Sequence, residues 1–390
     1  MALGYDTPAA LHQQWGLVVA GLKGRNAAKA TSPKTKNWFC STLDAVACRA
    51  YMTPFIPATL LLTAVLLPPV AVAQGAPALA QPIDCRIGAT CIVQNYVDHD
   101  PGAGARDYRC GFLSYDGHKG TDIRVVDTRA YRQGVAVLAA APGRVRAVRD
   151  AMPDANMRAL GKAAVAGREA GNSVVIEHGE GWETQYAHMR RGSLAVRVGD
   201  SVHRGQKLGL VGLSGYTEFP HLHFEVRRLG KIVDPFVGAG EAAPCEPGRD
   251  PLWQQQALLA LEYTATGVLD ADISGAPPAR ADGNVDREMT AGFTPESKAV
   301  VFWVQIYGAQ ADDLEEMRLL APDGGVLAER RDRIERNRAQ QLTYVGTRHR
   351  GAVLPAGTYR GEYTLYRGER QEKVISLVRE VRLDAGVAGR

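Results

Sequence analysis

Residues 221–227 read H-L-H-F-E-V-R, with polar and apolar side chains alternating without a break. A period of two is the pattern of a β-strand, whose successive side chains point to opposite faces. His221 and His223 therefore share a face, their Cβ atoms roughly 7 Å apart at a rise of ~3.3 Å per residue. The sequence around this strand repeats the β signature. Ser173–Glu177 (S-V-V-I-E) and Glu183–Ala187 (E-T-Q-Y-A) flank H-G-E-G-W and read as a hairpin. Val135–Val148 breaks at Pro142-Gly143 into two strands around a turn, and Val196–Val211 holds short strands punctuated at Gly199-Asp200 and Arg204-Gly205. Many short strands, glycine turns and few helices imply a mainly β fold built on an antiparallel sheet. Between Arg149 and Gly171, Met152, Met157, Leu160, Ala163 and Ala164 lie at loosely helical spacing, which reads as an insertion between two strands at the rim of a groove.

Further along, Leu252–Tyr263 reads as a short helix. The Gly-, Ala-, Pro- and Asp-rich stretch Gly267–Asp286 reads as a linker. Beyond it come Ala299–Tyr307 (A-V-V-F-W-V-Q-I-Y), the pair Met317–Leu320 and Val326–Glu329 around a P-D-G-G turn, then Gly357–Tyr366 and Val374–Leu383. These predict a small all-β domain, a β-sandwich, with no cluster of chemically capable residues.

Five residues carry the chemistry: His118 and Asp122 in G-H-K-G-T-D, His188 in Y-A-H-M, and His221 and His223. Zinc accepts imidazole nitrogen and carboxylate oxygen together. Three protein ligands leave a fourth position for water, whose pKa zinc lowers to about 7. Two further imidazoles beside it can take and return protons. Gly117 and Gly120 make the H-x-x-x-D element irregular rather than helical. A lone H-x-H on a strand is more often surface or structural than a metal site, and a lone H-x-x-x-D means almost nothing. Their coincidence with Y-A-H in one β-rich region sets them apart. His178 reads as a structural residue at a hairpin end, and His12, His99, His203 and His349 have no convergent partners in the sequence.

At these residues the chain resembles the lysostaphin-like, or LytM-type, zinc metallopeptidases that cut peptidoglycan cross-links. The resemblance runs from about Gly117 to Asp234. It rests on G-H-K-G-T-D, V-V-I-E-H-G-E-G-W-E-T-Q-Y-A-H-M, V-R-V-G-D-S-V-H-R-G-Q-K-L-G-L-V-G, and P-H-L-H-F-E-V ending in D-P. It implies a groove lined by an antiparallel β-sheet, a duplicated hybrid motif. It also implies one zinc (Zn2+) held by His118, Asp122 and His223, with His188 and His221 as the catalytic histidines. Some family members have lost zinc ligands and act only as activators of amidases; this chain keeps all five residues. It departs from the family pattern at the Arg149–Gly171 insertion and at T-E-F-P before His221. The expected substrate is a stem-peptide cross-link of peptidoglycan, since nothing signals a glycine-rich bridge. The alternative is a non-catalytic LytM-type envelope protein that binds cell wall or activates another hydrolase. A purely structural metal would call for a fourth protein ligand, such as His178 or a cysteine.

Composition fits a globular protein: of 390 residues, 45% are hydrophobic and 23% charged, with a formal net charge of +4. The charge is too small, and its runs too mixed in sign, to suggest nucleic-acid binding. Pro54–Ala73 holds an apolar core, Ala58–Leu67, too short to span a bilayer comfortably, followed by small-x-small patterns at Ala71–Ala73 and Ala78–Ala80. This is a signal-peptide pattern placed far from residue 1. One reading makes Met52 the true start; the other keeps a basic leader before an uncleaved anchor. Both export the rest of the chain to the periplasm or cell envelope. There Cys85, Cys91, Cys110 and Cys245 allow two disulfides, with Cys85–Cys91 and Cys110–Cys245 the favoured pairing and Cys40 and Cys48 left upstream. The expected division is a doubtful extension (1–51), a signal peptide or anchor (52–80), an exported lead-in segment (81–104), the peptidase region (105–240), a helix and linker (241–286) and an accessory β domain (287–390). The last fits glycan binding, an envelope protein partner, or cover for the catalytic region.

Overall fold

The alternation at 221–227 belongs to one strand of an eight-stranded antiparallel sheet. The computed structural model describes residues 75–240 and 243–384. The apolar leader, His12, Cys40 and Cys48 lie outside the described residues. In chain order the first strands are β1 (Cys91–Asn95), β2 (Thr121–Val125), β3 (Ala136–Leu138), β4 (Gly143–Arg149), β5 (Asn172–Gly179), β6 (Trp182–Met189), β7 (Ser201–Val202), β8 (Lys207–Leu210), β9 (His221–Arg228) and β10 (Lys231–Ile232). Their order in the large sheet is β1-β2-β9-β6-β5-β4-β7, with β10 paired to β9. Leu222, Phe224 and Val226 of β9 pack with Trp182 and Tyr186 of β6 in the core on one face. The residues between them on β9, and Asp122 on β2, are left to the other face. The hairpin expected around H-G-E-G-W is the β5–β6 pair.

The two strands expected around Pro142-Gly143 exist, but they do not pair with each other. β3 joins β8 in a separate two-stranded sheet, while β4 joins β5 and β7. At Gly143 the chain already runs tightly against β5: a Cβ there would sit 2.4 Å from the Glu177 carbonyl oxygen. A short helix α1 (Thr128–Gln133) follows β2, capped by Asp127. The Arg149–Gly171 insertion holds two single-turn helices, α2 (Met157–Leu160) and α3 (Lys162–Val165).

The lead-in segment is part of this fold rather than a prelude to it, because β1 pairs with β2 and its side chains are buried. Leu79 is fully buried, and its N–H donates to the Leu252 carbonyl at 2.8 Å. A cut after Ala80 would remove that core residue. Of the two cleavage patterns, only the one ending at Ala73 leaves the described core whole.

The helix expected in Leu252–Tyr263 is α4 (Gln255–Ala260). The linker expected at Gly267–Asp286 is instead structured: β11 (Gly267–Ser274), then β12 (Arg280–Ala281) and β13 (Asn284–Val285) as a small hairpin. β11 alternates after all. Ala271 and Ile273 enter the core, while Asp270 and Asp272 meet Arg287, and Arg379 donates to Asp272 at 3.0 Å. The remaining strands are β14 (Ala299–Ala309), β15 (Leu314–Leu320), β16 (Val326–Arg333), β17 (Arg338–Arg348), β18 (Gly357–Arg367) and β19 (Glu372–Leu383). They form the expected sandwich: β11-β14-β17 against β16-β15-β18-β19, with Phe302, Val304, Met317, Leu319, Tyr363 and Leu365 in its core. No helix among the described residues is long and apolar enough to cross a membrane.

Both favoured disulfides are present, Cys85–Cys91 and Cys110–Cys245. The second spans 135 residues and ties the β1–β2 connection to the chain beyond β10. Closing so long a loop removes about 5 kcal/mol of chain entropy from the unfolded state, as an upper bound. A Cys110→Ser/Cys245→Ser double variant should therefore unfold at clearly lower guanidinium concentration than the parent. Coincident unfolding curves would mean that the bridge adds no stability.

Candidate metal centre

Asp122 and His223 face each other across β2 and β9, with Arg124 and His221 the next pair along. On the other side of β9, Ala187 pairs with His223, which brings His188 at the end of β6 alongside. His118 comes from the turn just before β2. The five side chains singled out in the sequence thus meet on one face of three adjacent strands. Their reactive atoms are close. Asp122 Oδ1 lies 2.8 Å from His223 Nδ1, 3.1 Å from His118 Nε2 and 3.4 Å from His221 Nε2. His118 Nε2 and His223 Nδ1 are 3.2 Å apart. Two overlapping sets could each hold a metal ion, His118/Asp122/His223 and His188/His221/His223.

Backbone oxygens set which nitrogen of each ring faces the site. A carbonyl can only accept, so the ring nitrogen against it carries the proton. His118 Nδ1 donates to the Tyr96 carbonyl at 2.6 Å, His188 Nδ1 to the Ser214 carbonyl at 2.8 Å, and His221 Nδ1 to the Phe219 carbonyl at 2.9 Å. When neutral, all three turn an Nε2 lone pair inward. His223 is reversed: Nδ1 faces the site, and Nε2 faces the Glu225 carboxylate at 3.7 Å, an electrostatic rather than a hydrogen-bonded distance. Asn95 donates from Nδ2 to Asp122 Oδ2 at 3.1 Å, which leaves Oδ1 to the imidazoles.

His188 adopts φ of 58°, a left-handed conformation that costs a non-glycine residue roughly 1–2 kcal/mol. The loop that receives it explains how this is held. The Ser214 hydroxyl donates to the Met189 carbonyl and accepts the Asn172 N–H, and a Cβ on Gly171 would lie 2.3 Å from the Ser214 carbonyl oxygen. Close backbone packing over-determines the strained residue.

Burial shapes the charges. It would raise the Asp122 carboxyl, but the neighbouring His118 and His221 outweigh it and hold the group well below the usual carboxylate range. Burial would lower His223, but its hydrogen bond to Asp122 and the negative charge of the nearby Glu225 raise it to about 9. His188 is pushed well below the ordinary histidine value by burial first, then by His221 and His223. The result is an anionic carboxylate and a neutral imidazole side by side.

Glu225, Asn95, Ser214 and Thr217 support the site but did not stand out in the sequence. Glu225 lies two positions beyond His223 in the same alternation, which was the available signal. His178 is structural, bonding the Pro142 carbonyl and the Thr184 hydroxyl. His99 has a partner that the sequence did not reveal: Asp234, at 2.8 Å.

Residues 116–235 match Peptidase family M23. Over 65 residues the chain is 43% identical to the peptidoglycan DD-endopeptidase ShyA of Vibrio cholerae, a match covering 17% of this chain and 15% of that one. Over 122 residues it is 34% identical to the murein hydrolase activator NlpD of Escherichia coli, covering 31% and 26%. A solved catalytic domain of the prophage-encoded M23 protein EnpA from Enterococcus faecalis is 24% identical, over 42% of this chain and 98% of that one, with a TM-score of 0.28. The chain spans 14–17% of the length of the first curated relatives that it matches.

Proposed function

We propose, from the match of residues 116–235 to Peptidase family M23, that the protein is an exported zinc-dependent endopeptidase that hydrolyses peptide cross-links of bacterial peptidoglycan. One observation carries the reading: two imidazole nitrogens and a carboxylate oxygen converge within 2.8 to 3.2 Å of one another, with two more imidazoles beside them. Without metal a proton on His223 Nδ1 joins the three; with that proton displaced, two nitrogens and one oxygen are a zinc donor set. His118, Asp122 and His223 would hold the ion. Zinc there supplies a Lewis acid for the scissile carbonyl and lowers the pKa of water at the open position.

The chain's own residues do the rest. The Nδ1 protons of His188 and His221 are fixed on carbonyl oxygens, so both rings keep Nε2 toward the reacting groups. His188, held neutral by burial and by its neighbours, is the ring suited to take the proton of the attacking water. His221 then orients the carbonyl oxygen or returns a proton to the leaving amine. Glu225 steadies His223 from behind. Glu225→Gln is expected to weaken zinc binding about 10–100-fold, read by competition with a chelator; an unchanged affinity would remove Glu225 from the support of the metal.

The ShyA resemblance and the two disulfides support a peptidoglycan substrate and an exported setting. The NlpD resemblance favours a second reading, a regulator that acts through another hydrolase, with the C-terminal β domain as its partner surface. An intact set of all five residues weighs toward the enzyme. Incubating the zinc-loaded chain with purified peptidoglycan separates the two. New amino termini in the released peptides support the endopeptidase. Their absence, alongside faster cleavage by an added amidase, would move the protein to the second reading.

A further inference from the structure

We propose that the β12–β13 hairpin of the C-terminal domain is a positioning element for His221, acting through Arg124 and Phe219. The inference rests on the role given to His221 above. His221 takes its orientation from the loop just before it, where Nδ1 meets the Phe219 carbonyl at 2.9 Å and the Thr217 hydroxyl at 3.0 Å. The aim of the ring therefore depends on Phe219 and on Thr217, whose hydroxyl donates to the Phe219 carbonyl at 2.9 Å. The Phe219 ring is covered by the guanidinium of Arg124, 4.5 Å from its centroid. Gly283, at the tip of the hairpin, packs against the same residue: a Cβ there would lie 3.1 Å from Phe219 Cβ and 3.4 Å from the Glu218 carbonyl oxygen. Asp282 and Gly283 both have positive φ, the two-residue turn that lets the hairpin come this close.

Arg124 fastens the two parts together. It is the cross-strand neighbour of His221 and is fully buried. Its Nη1 donates to Gln94 Oε1 at 2.9 Å within the catalytic sheet. Towards the C-terminal domain, Nε donates to Asn284 Oδ1 at 3.0 Å, and Nη2 donates to the Gly283 carbonyl at 2.9 Å and to Gln340 Oε1 at 3.0 Å. Asn284 returns a bond from Nδ2 to the Val125 carbonyl at 3.1 Å. A buried guanidinium needs its donors met, so withdrawing the hairpin would strand a charge beside the site. A domain serving only as a tethered binding module would not require such a contact.

The test compares two ways of loosening the same domain. Asn284→Ala removes the hairpin's side-chain acceptor for Arg124 and leaves the Gly283 carbonyl. Arg132→Ala removes a docking contact at the foot of the hairpin, away from its tip: the ion pairs of Arg132 with Asp286 and Glu288. Each full-length variant is loaded with zinc. Metal content, kcat and KM on peptidoglycan fragments, and the ring Nδ1–H signal of His221 in histidine-labelled protein are then measured. Asn284→Ala should keep its zinc and a KM within about twofold, lose about tenfold in kcat, and lose the slowly exchanging ring proton. Arg132→Ala should match the parent in all four. Gln340→Ala, a milder cut at the same guanidinium, should move kcat and the ring signal the same way by less, and it stands in if Asn284→Ala fails to fold. The idea is overturned if Asn284→Ala, or Gln340→Ala in its place, keeps both kcat and the ring proton, or if Arg132→Ala changes them equally. A parent chain that binds zinc but cleaves nothing would sink the endopeptidase reading alone, and the ring signal would still decide this one.

Discussion

Replacing His223 by alanine is expected to reduce bound zinc from near one per chain to background, and peptide release with it. The residue is central: its Nδ1 lies 2.8 Å from Asp122 Oδ1 and 3.2 Å from His118 Nε2, so it touches both other candidate ligands. Two remaining ligands make a poor zinc site, and the buried Asp122 carboxylate would lose its closest partner. The same residue predicts a pH dependence. The adjoining carboxylates raise the His223 imidazole to about 9 despite its burial. Zinc must therefore displace a proton from Nδ1 at any lower pH. Apparent zinc affinity should fall about tenfold per pH unit as the solution is acidified below that value. Calorimetric or chelator-competition titrations between about pH 6 and 8 read the slope directly. A His223→Ala protein that keeps stoichiometric zinc would place the metal on other residues, and an affinity flat in pH would deny His223 the role of ligand.

How much the sequence discloses depends on how local each signal is. The strand at 221–227 needs only its own alternation, and the five residues of the site stand out because their side chains are chemically capable. The backbone oxygens of Tyr96, Ser214 and Phe219 fix the ring tautomers just as firmly. A carbonyl has no residue type, so no letter announces them. β11 resembles a linker because of its Gly, Ala and Asp composition, while the partners that neutralise Asp270 and Asp272 lie outside the stretch, at Arg287 just past its end and at Arg379, 107 residues on from Asp272. β17 is hidden for a related reason: its polar R-A-Q-Q-L stretch is accommodated by pairing along the length of β14, which is a tertiary fact. The fastening of the C-terminal domain to the catalytic sheet depends on one arginine and neutral amides, residues with no spacing that marks them.

His188→Ala is the sharper experiment, because it separates an enzyme from a protein that merely holds metal. His188 lies outside the His118/Asp122/His223 set, so the variant should keep its zinc. Its kcat should fall about 10²–10⁴-fold, the usual contribution of a positioned proton-transfer group. Burial and the neighbouring imidazoles hold the residue well below the ordinary histidine pKa. It should thus stay unprotonated, and able to accept a proton, through the whole neutral range, and any loss of activity that it governs should come only at more acid pH. The backbone offers a control. At φ of 58° alanine is strained, whereas asparagine, like histidine and aspartate, visits that region more readily. His188→Asn should therefore fold at least as well as the alanine variant while being equally unable to move a proton. Equal loss of turnover in both, with zinc retained in both, identifies proton transfer as what was removed. Retained turnover in either would mean that the ring serves structure, and loss of zinc in both would mean that the second set, His188/His221/His223, is where the metal binds.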